Sequence, residues 1–426
     1  MVQTGPDGNH FRRWFATLHP SLQLVLLQLW MPLFFIVMFC ICYVAAFHAP
    51  APRQVPIGIV GTATELEFGI EHALGDSVAT AQYDNVAAAT DAVMRGDAAA
   101  AYDPSDHTLY VAGAHQLQAS TLLQKMLIPL LGSDAQAPAV QDLAPLPAHD
   151  AFGMTSMYLM LAWCIGGYMT AMFIGLMGAP LRHRTRLTVI IGLGLVMSLV
   201  TNLLAGPVIG AIDGHFWPLM LMAWGWIVAI GLAVNGLSYF FGRFVALPAM
   251  VIFVFLSVPA SGAAYPPWMM PEPFAWLNHV VVGSGITEMI KHAVYGVGPS
   301  YSRGLAMMTC YAGAGLVLML LGKRYWEARR ARRVVAGKTT MFIDAQNANR
   351  DFLTDERRDI LARHGLEATE TGTIRPLDPG AEQQRTHAQR AFETEAETAD
   401  PLLGPAGGLE NENLPQAPEE STTRGS

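Results

Sequence analysis

The chain has 426 residues, of which 52% are hydrophobic and only 14% charged, with a net charge of −8. A soluble domain carries about 25% charged residues, so composition excludes an ordinary soluble protein. The lack of a basic face excludes a nucleic-acid binder. The acidic excess lies after residue 343, and the four cysteines (Cys40, Cys42, Cys164 and Cys310) fall inside apolar runs, so no disulfide framework is implied.

In chain order, residues 1–21 read as a cytoplasmic N-terminus. Phe11, Trp14, Phe15 and Leu18 recur at helical spacing beside Arg12 and Arg13, the pattern of an amphipathic interfacial helix. Residues 22–47 form the first apolar run, long enough for a hydrocarbon core of about 30 Å. It is too long for a cleaved signal core.

Residues 48–151 change texture and read as a small extracytoplasmic α/β domain. Strands are expected at Val55–Val60, 77–83, 98–102 and Thr108–Val111, the last two joined by a turn at 103–106. Helices are expected at Thr64–Leu74, at Val86–Arg95 with Asn85 as cap and Gly96 as stop, and at 114–131. A Pro-rich linker follows.

Residues 152–322 carry five further apolar runs: 152–179, 187–212, 216–241, 244–264 and 301–321. The expected fold is therefore a polytopic α-helical membrane protein with six transmembrane helices, one plus five, and the α/β domain inserted between the first and second. Six crossings put the basic clusters on one side: Arg12 and Arg13, Arg182 to Arg186, Arg243, and Lys323 to Arg333. Basic residues favour the cytoplasm, so both termini are expected there. Residues 323–343 form the basic cytoplasmic segment and 344–426 an acidic, disordered tail, with a short helix at about 350–364.

Few residues carry chemistry. Ala336 to Thr340 contains Gly-Lys-Thr, but the first glycine of a phosphate loop would fall at Arg332 and no strand precedes it. The spans hold almost no Asp, Glu or His, unlike proton-coupled carriers. Asn202 and Asn235 are their main polar groups, suited to interhelical hydrogen bonds, and Gly206 and Gly210 form a G-x-x-x-G packing pair.

The most specific stretch is 262–300, read as a re-entrant outer element. Gly262, Pro266, Pro267 and Pro271 interrupt a helix, and an amphipathic stretch with Glu288 and Lys291 follows. Those two charges stand at i, i+3. The spacing fits a surface ion pair, with a gate or substrate-facing pair as the sharper reading.

Ser-Gly-x-x-Tyr-Pro at 261–266, Met-Pro at 270–271 and the helix ending at Tyr295-Gly296 resemble the final outer element of ABC-transporter permeases of the type-2 exporter class. The one-plus-five layout is similar to the subgroup with a large extracytoplasmic loop and to phage-infection-protein and YhgE-like membrane proteins. The resemblance covers roughly residues 20–325. It implies a bacterial inner-membrane permease subunit, working as a homodimer or paired permease, that moves a substrate outward. A separate nucleotide-binding ATPase subunit would hydrolyse ATP, so the chain itself is expected to be no enzyme and to need no cofactor or metal. Other implied partners are a periplasmic adaptor and membrane lipid, with no nucleic acid. Carried over by position, the ATPase-coupling candidates are Arg12, Arg13, Trp14, Arg182, Arg184 and Arg186. The competing reading is a scaffold or receptor whose outer domain binds a partner. A lipid-directed enzyme has no nucleophile–base pair to support it.

Overall fold

A computed structural model describes residues 14–15, 17–132, 137–177, 181–335, 341–368 and 373–376. By contacts the chain divides into two units, residues 26–339 and a smaller one built from both ends of the chain.

Within the larger unit, α1 (Pro20–Phe47, whose first turn belongs to the smaller unit) is an apolar rod with Pro32 inside it and a π-helical turn at Cys40–Val44. The α/β domain follows as β1 (Val55–Val60), α2 (Thr64–Leu74), β2 (Val78–Tyr83), α3 (Val86–Arg95), β3 (Ala100–Asp103), β4 (Thr108–Val111), α4 (Leu117–Leu131) and β5 (Ala139–Asp142). The sheet order is β2-β1-β3-β4-β5. β1 runs parallel to both β2 and β3, β3–β4 is an antiparallel hairpin, and β5 pairs parallel to β4.

Local chemistry sets these elements. The Ala88 N–H donates to Asn85 Oδ1 at 2.8 Å, which caps α3, and Gly96 ends it in the left-handed region that glycine adopts without strain. Alternation along the strands gives the sheet two apolar faces. Val55, Ile57, Ile59, Leu109 and Val111 face one cluster with Ile70, Leu123 and Leu127. Ala101, Tyr110 and Ala112 face another with Ala89, Ala92 and Val93. The fifth strand occupies part of the segment expected to be a linker. Its four residues are all exposed, so no alternation announced it.

Five helices among the described residues are long and apolar enough to cross a membrane: α1, α5 (Thr155–Met177), α6 (His183–Leu203, continued by a π-helical turn to Val208), α7 (Phe216–Phe241) and the N-terminal part, Ser302–Gly322, of α11 (Ser302–Val335). The run expected at 244–264 is different. It forms α8 (Ala246–Met250) and a π-helical turn to Phe255, and then passes into turns. Pro259 supplies no N–H there, so the regular ladder stops. Bonds from Val258 N to Val254 O and Ala260 N to Leu256 O still carry the rod toward Ser261. Two short helices complete the outer element, α9 (Glu272–Asn278) and α10 (Val282–Tyr295).

The bundle core centres on Trp163, Trp226, Ile230, Phe253 and Ile286. Its tightest approach is not the expected Gly206–Gly210 pair. Gly206 lies in the π-helical turn, and a Cβ on Gly210 would meet nothing within 4 Å. The tight crossing is α7 on α11, where a Cβ on Gly315 would stand 2.4 Å from the Leu232 carbonyl carbon. Nor does Asn202 bond between helices: its Nδ2 donates to Ser198 O of its own helix at 2.8 Å, whereas Asn235 reaches Met319 Sδ on α11 at 3.4 Å.

In the smaller unit, α12 (Met341–Arg363) is followed by a hairpin of β6 (Leu366–Ala368) and β7 (Ile374–Pro376). The Ser21 hydroxyl donates to Asn349 Oδ1 at 2.9 Å, and the His19 ring packs edge-on to Phe352. The short helix expected at 350–364 is thus longer, starting at Met341, and residues 366–368 and 374–376 pair as a hairpin where a disordered tail was expected. Residues 377–426 and the Gly-Lys-Thr at 337–339 lie outside the described residues.

Candidate functional site

The outer element and the α/β domain enclose a cavity of about 480 Å3. The sheet supplies one wall through Pro56 and Ala99, together with the segment after β4 (His115, Gln116) and the start of α4. The outer element supplies the other through Gly262, Pro266, Pro267, Trp268 and α10.

Close backbone contact fixes α10. A Cβ on Gly283 would stand 2.6 Å from Ser257 O, and the Gly283 N–H donates to Ser257 Oγ at 2.9 Å. The helix thus lies flush on the end of the α8 rod. The expected amphipathic stretch is in fact buried on nearly every side: Val282 to Thr287, Met289, Ile290 and Lys291 are all buried. Val282 to Val294 pack on the bundle core, and Lys291 and Tyr295 reach the α/β domain.

Lys291 is 7% exposed, and its ammonium joins the two bodies. It donates to His115 O at 2.5 Å and to Gly262 O at 3.2 Å. Gly262 has φ +78°, a left-handed conformation open to glycine, and its carbonyl accepts from both Lys291 and Gln116 Nε2. The His115 ring is itself anchored, with Nε2 within 3.0 Å of the Val93 and Met94 carbonyls. Burial, with Lys291 adding to it, pushes the His115 imidazole down to about 4, so it is neutral at pH 7.

The i, i+3 surface pair of Glu288 and Lys291 does not form. Glu288 bonds instead to Arg303 at the start of α11, and Arg303 Nη2 also donates to Asn278 O at 2.8 Å. Burial raises the Glu288 carboxyl, with Arg303 and then Lys291 opposing. Burial pushes the Lys291 ammonium down to about 7, with Glu288 opposing. A second tie lies nearby: the Tyr295 hydroxyl donates to Asp150 Oδ2, and Asp150 also accepts from the Met154 and Thr155 N–H groups at the head of α5.

The depressed Lys291 value has a measurable sign. The folded chain holds this proton less tightly than the ordinary 10.5, so between about pH 7 and 10.5 the unfolded state binds more protons and stability rises with pH. The melting temperature of detergent-solubilised protein is expected to gain more from pH 7 to pH 9 in wild type than in Lys291→Met. Equal gains would show that Lys291 is not desolvated.

Of the other expected site residues, Gly262, Pro266, Pro267, Glu288 and Lys291 line the cavity, whereas Pro271 stands outside the lining and starts α9. Arg182 and Arg184 are exposed at the head of α6. Arg186 corrects the expectation of a surface coupling group. It is 6% exposed with its guanidinium 5.1 Å from the centre of the Tyr239 ring, and Tyr239 hydrogen-bonds His183 Nδ1 at 2.7 Å. The α6–α7 crevice takes it in because its planar cation stacks on an aromatic face. Trp14 is exposed, and Arg12 and Arg13 lie outside the described residues.

Sequence reasoning missed His115, Gln116 and Arg303. Only Arg303 left a signal, as a cation two residues inside the last apolar helix. No family model matches this chain, and neither a curated protein nor a solved structure matches it.

Proposed function

We propose that the chain is a multi-pass permease subunit of an export system in a bacterial inner membrane, paired with a second permease copy and driven by a separate ATPase. The observation that carries the reading is Lys291. The α/β domain is clamped to an interrupted helical element, over a cavity of mixed lining, at one end of a bundle whose spans hold no buried acid among the described residues. A domain so placed feels any movement of the bundle through the outer element. A bundle with no buried acid in its described spans suits a conduit that a partner drives.

The reading counts six crossings. The fifth crossing is taken through residues 244–264, where the helical stretch Ala246–Phe255 is extended toward Ser261 by the bonds from Val258 N and Ala260 N. On that count both termini lie in the cytoplasm and the α/β domain outside. The exposed Arg182 and Arg184 are then the ATPase-facing groups, and Arg186 is a packing residue of the bundle.

Co-purification tests this. Wild type is expected to retain a nucleotide-binding subunit, and the double change Arg182→Glu with Arg184→Glu to lose it with little change in melting temperature. Arg186→Glu should instead lower melting temperature and abundance. A reporter fused at Ala100 should report from outside the cytoplasm. A protein that purifies alone and binds partners only through residues 48–151 would favour the scaffold or receptor reading, and a cytoplasmic Ala100 would remove the topology.

A further inference from the structure

Spare hydrogen-bonding capacity of both signs surrounds the cavity. Thr287 is 2% exposed and its hydroxyl has no partner. Glu288 Oε2 and Gln116 Oε1 are also buried without partners. A buried polar atom left unpaired is destabilising, and three around one cavity call for an explanation. Lys291 adds a further donor, since its ammonium has three protons and two carbonyl partners.

These groups share one face of α10. Thr287 and Lys291 stand at i, i+4 and Glu288 and Lys291 at i, i+3, spacings that put Cβ atoms about 5–6 Å apart. The Glu288 and Lys291 side chains do not satisfy one another. The wall therefore presents a hydroxyl, an acidic acceptor and a cationic donor within five residues of one helix. The remaining lining is mixed: Trp268, Leu123, Pro56, Pro266 and Pro267 are apolar, Ser120, Ser261 and Asn278 are polar, and Arg95 and Asp97 at the rim pair with one another. A ligand with a lone positive charge would face Lys291, and one with a lone negative charge would face Glu288. Only opposite charges held close together suit both.

We infer that this cavity binds a small zwitterion: a primary ammonium a few bonds from an acidic group, carried on an apolar body. Its ammonium would sit at Glu288 Oε2 and Gln116 Oε1, and its acidic group at Lys291 and Thr287. A free aliphatic amino acid and an ethanolamine phospholipid headgroup share this chemistry. The site stands apart from the export reading, because a receptor could use it equally.

The test uses the full chain in detergent and in lipid nanodiscs. Leucine is the free probe, with N-acetylleucine and leucinamide as its single-charge counterparts. Calorimetric binding of leucine that both counterparts lack supports the proposal with a free ligand. Silence toward leucine, with selective retention of phosphatidylethanolamine over phosphatidylglycerol by native mass spectrometry, supports it with the headgroup as source. In either case Thr287→Val is expected to weaken binding about tenfold, the effect of one lost hydrogen bond. Its melting temperature should hold or rise, because an orphaned buried hydroxyl is gone. Binding of a single-charge counterpart as tightly as leucine would overturn the proposal. So would failure of both leucine and phosphatidylethanolamine, or binding unchanged in Thr287→Val. Lys291→Met also breaks the clamp to His115 and Gly262, which is why Thr287→Val is the deciding variant.

Discussion

Gly315→Ala is expected to destabilise the bundle by about 3 kcal/mol, the upper range for forced overpacking. The added Cβ would stand 2.4 Å from the Leu232 carbonyl carbon and 2.5 Å from the Ala233 amide nitrogen. Both are backbone atoms inside a helix, so no rotamer can swing away. α7 and α11 would have to separate along their crossing, which loosens the packing around Gly236, where a Cβ would in turn meet Gly315 O at 2.7 Å. Gly313→Ala is the control in the same helix. Nothing lies within 4 Å of its Cβ, so it should be neutral or gain up to about 1 kcal/mol from helix propensity. Reversible denaturation of the detergent-solubilised protein reads both. Equal effects of the two changes would mean that this crossing is not the tight contact of the bundle.

Arg303→Met is expected to cost about 3 kcal/mol, the lower range for stripping one partner from a buried ion pair, since the side chains are 32% and 24% exposed. It leaves the Glu288 carboxylate with neither oxygen paired, and the Asn278 carbonyl loses its 2.8 Å donor. The loss depends on pH, with a determined sign. Burial already raises the Glu288 carboxyl above its ordinary 4.5, and removing Arg303 takes away the chief opposing charge. The folded variant then holds the proton more tightly than the unfolded chain. Its stability is fullest at low pH and falls as pH rises from 4.5 through the folded value. The variant should therefore melt closer to wild type at pH 5 than at pH 8. Adding Glu288→Gln should restore part of the stability at pH 8, because the uncompensated charge is gone. A pH-independent loss, or a double variant no better than the single one, would show that Arg303 acts through packing alone.

These two sites differ in how far the sequence announced them. Strand and helix placement in the α/β domain was legible because it rests on local chemistry. Alternation marks Val55–Val60, and a cap at Asn85 with a stop at Gly96 bounds Val86–Arg95. Apolar runs likewise announced the long helices, since a hydrocarbon solvent demands length and composition that neighbouring residues alone must supply. The fifth strand was hidden because its only support is pairing to β4, about thirty residues earlier, and it buries no side chain. Helix α12 was legible only as a short stretch at 350–364, because its partner contacts come from His19 and Ser21, more than 300 residues away in sequence.

By itself the sequence determined the class: long apolar helices, a small α/β insertion after the first of them, and a Pro- and Gly-rich outer element. Each rests on a pattern within some twenty consecutive residues. Tertiary structure alone decided which charges meet. Spacing paired Glu288 with Lys291, whereas folding gave Glu288 to Arg303 and turned Lys291 onto carbonyls of two other segments. It also moved Arg186 from a basic surface loop into an aromatic crevice, and the close helix crossing from Gly206–Gly210 to Gly315. The reason is that desolvation and close approach depend on everything packed around a group, and no local periodicity encodes those neighbours.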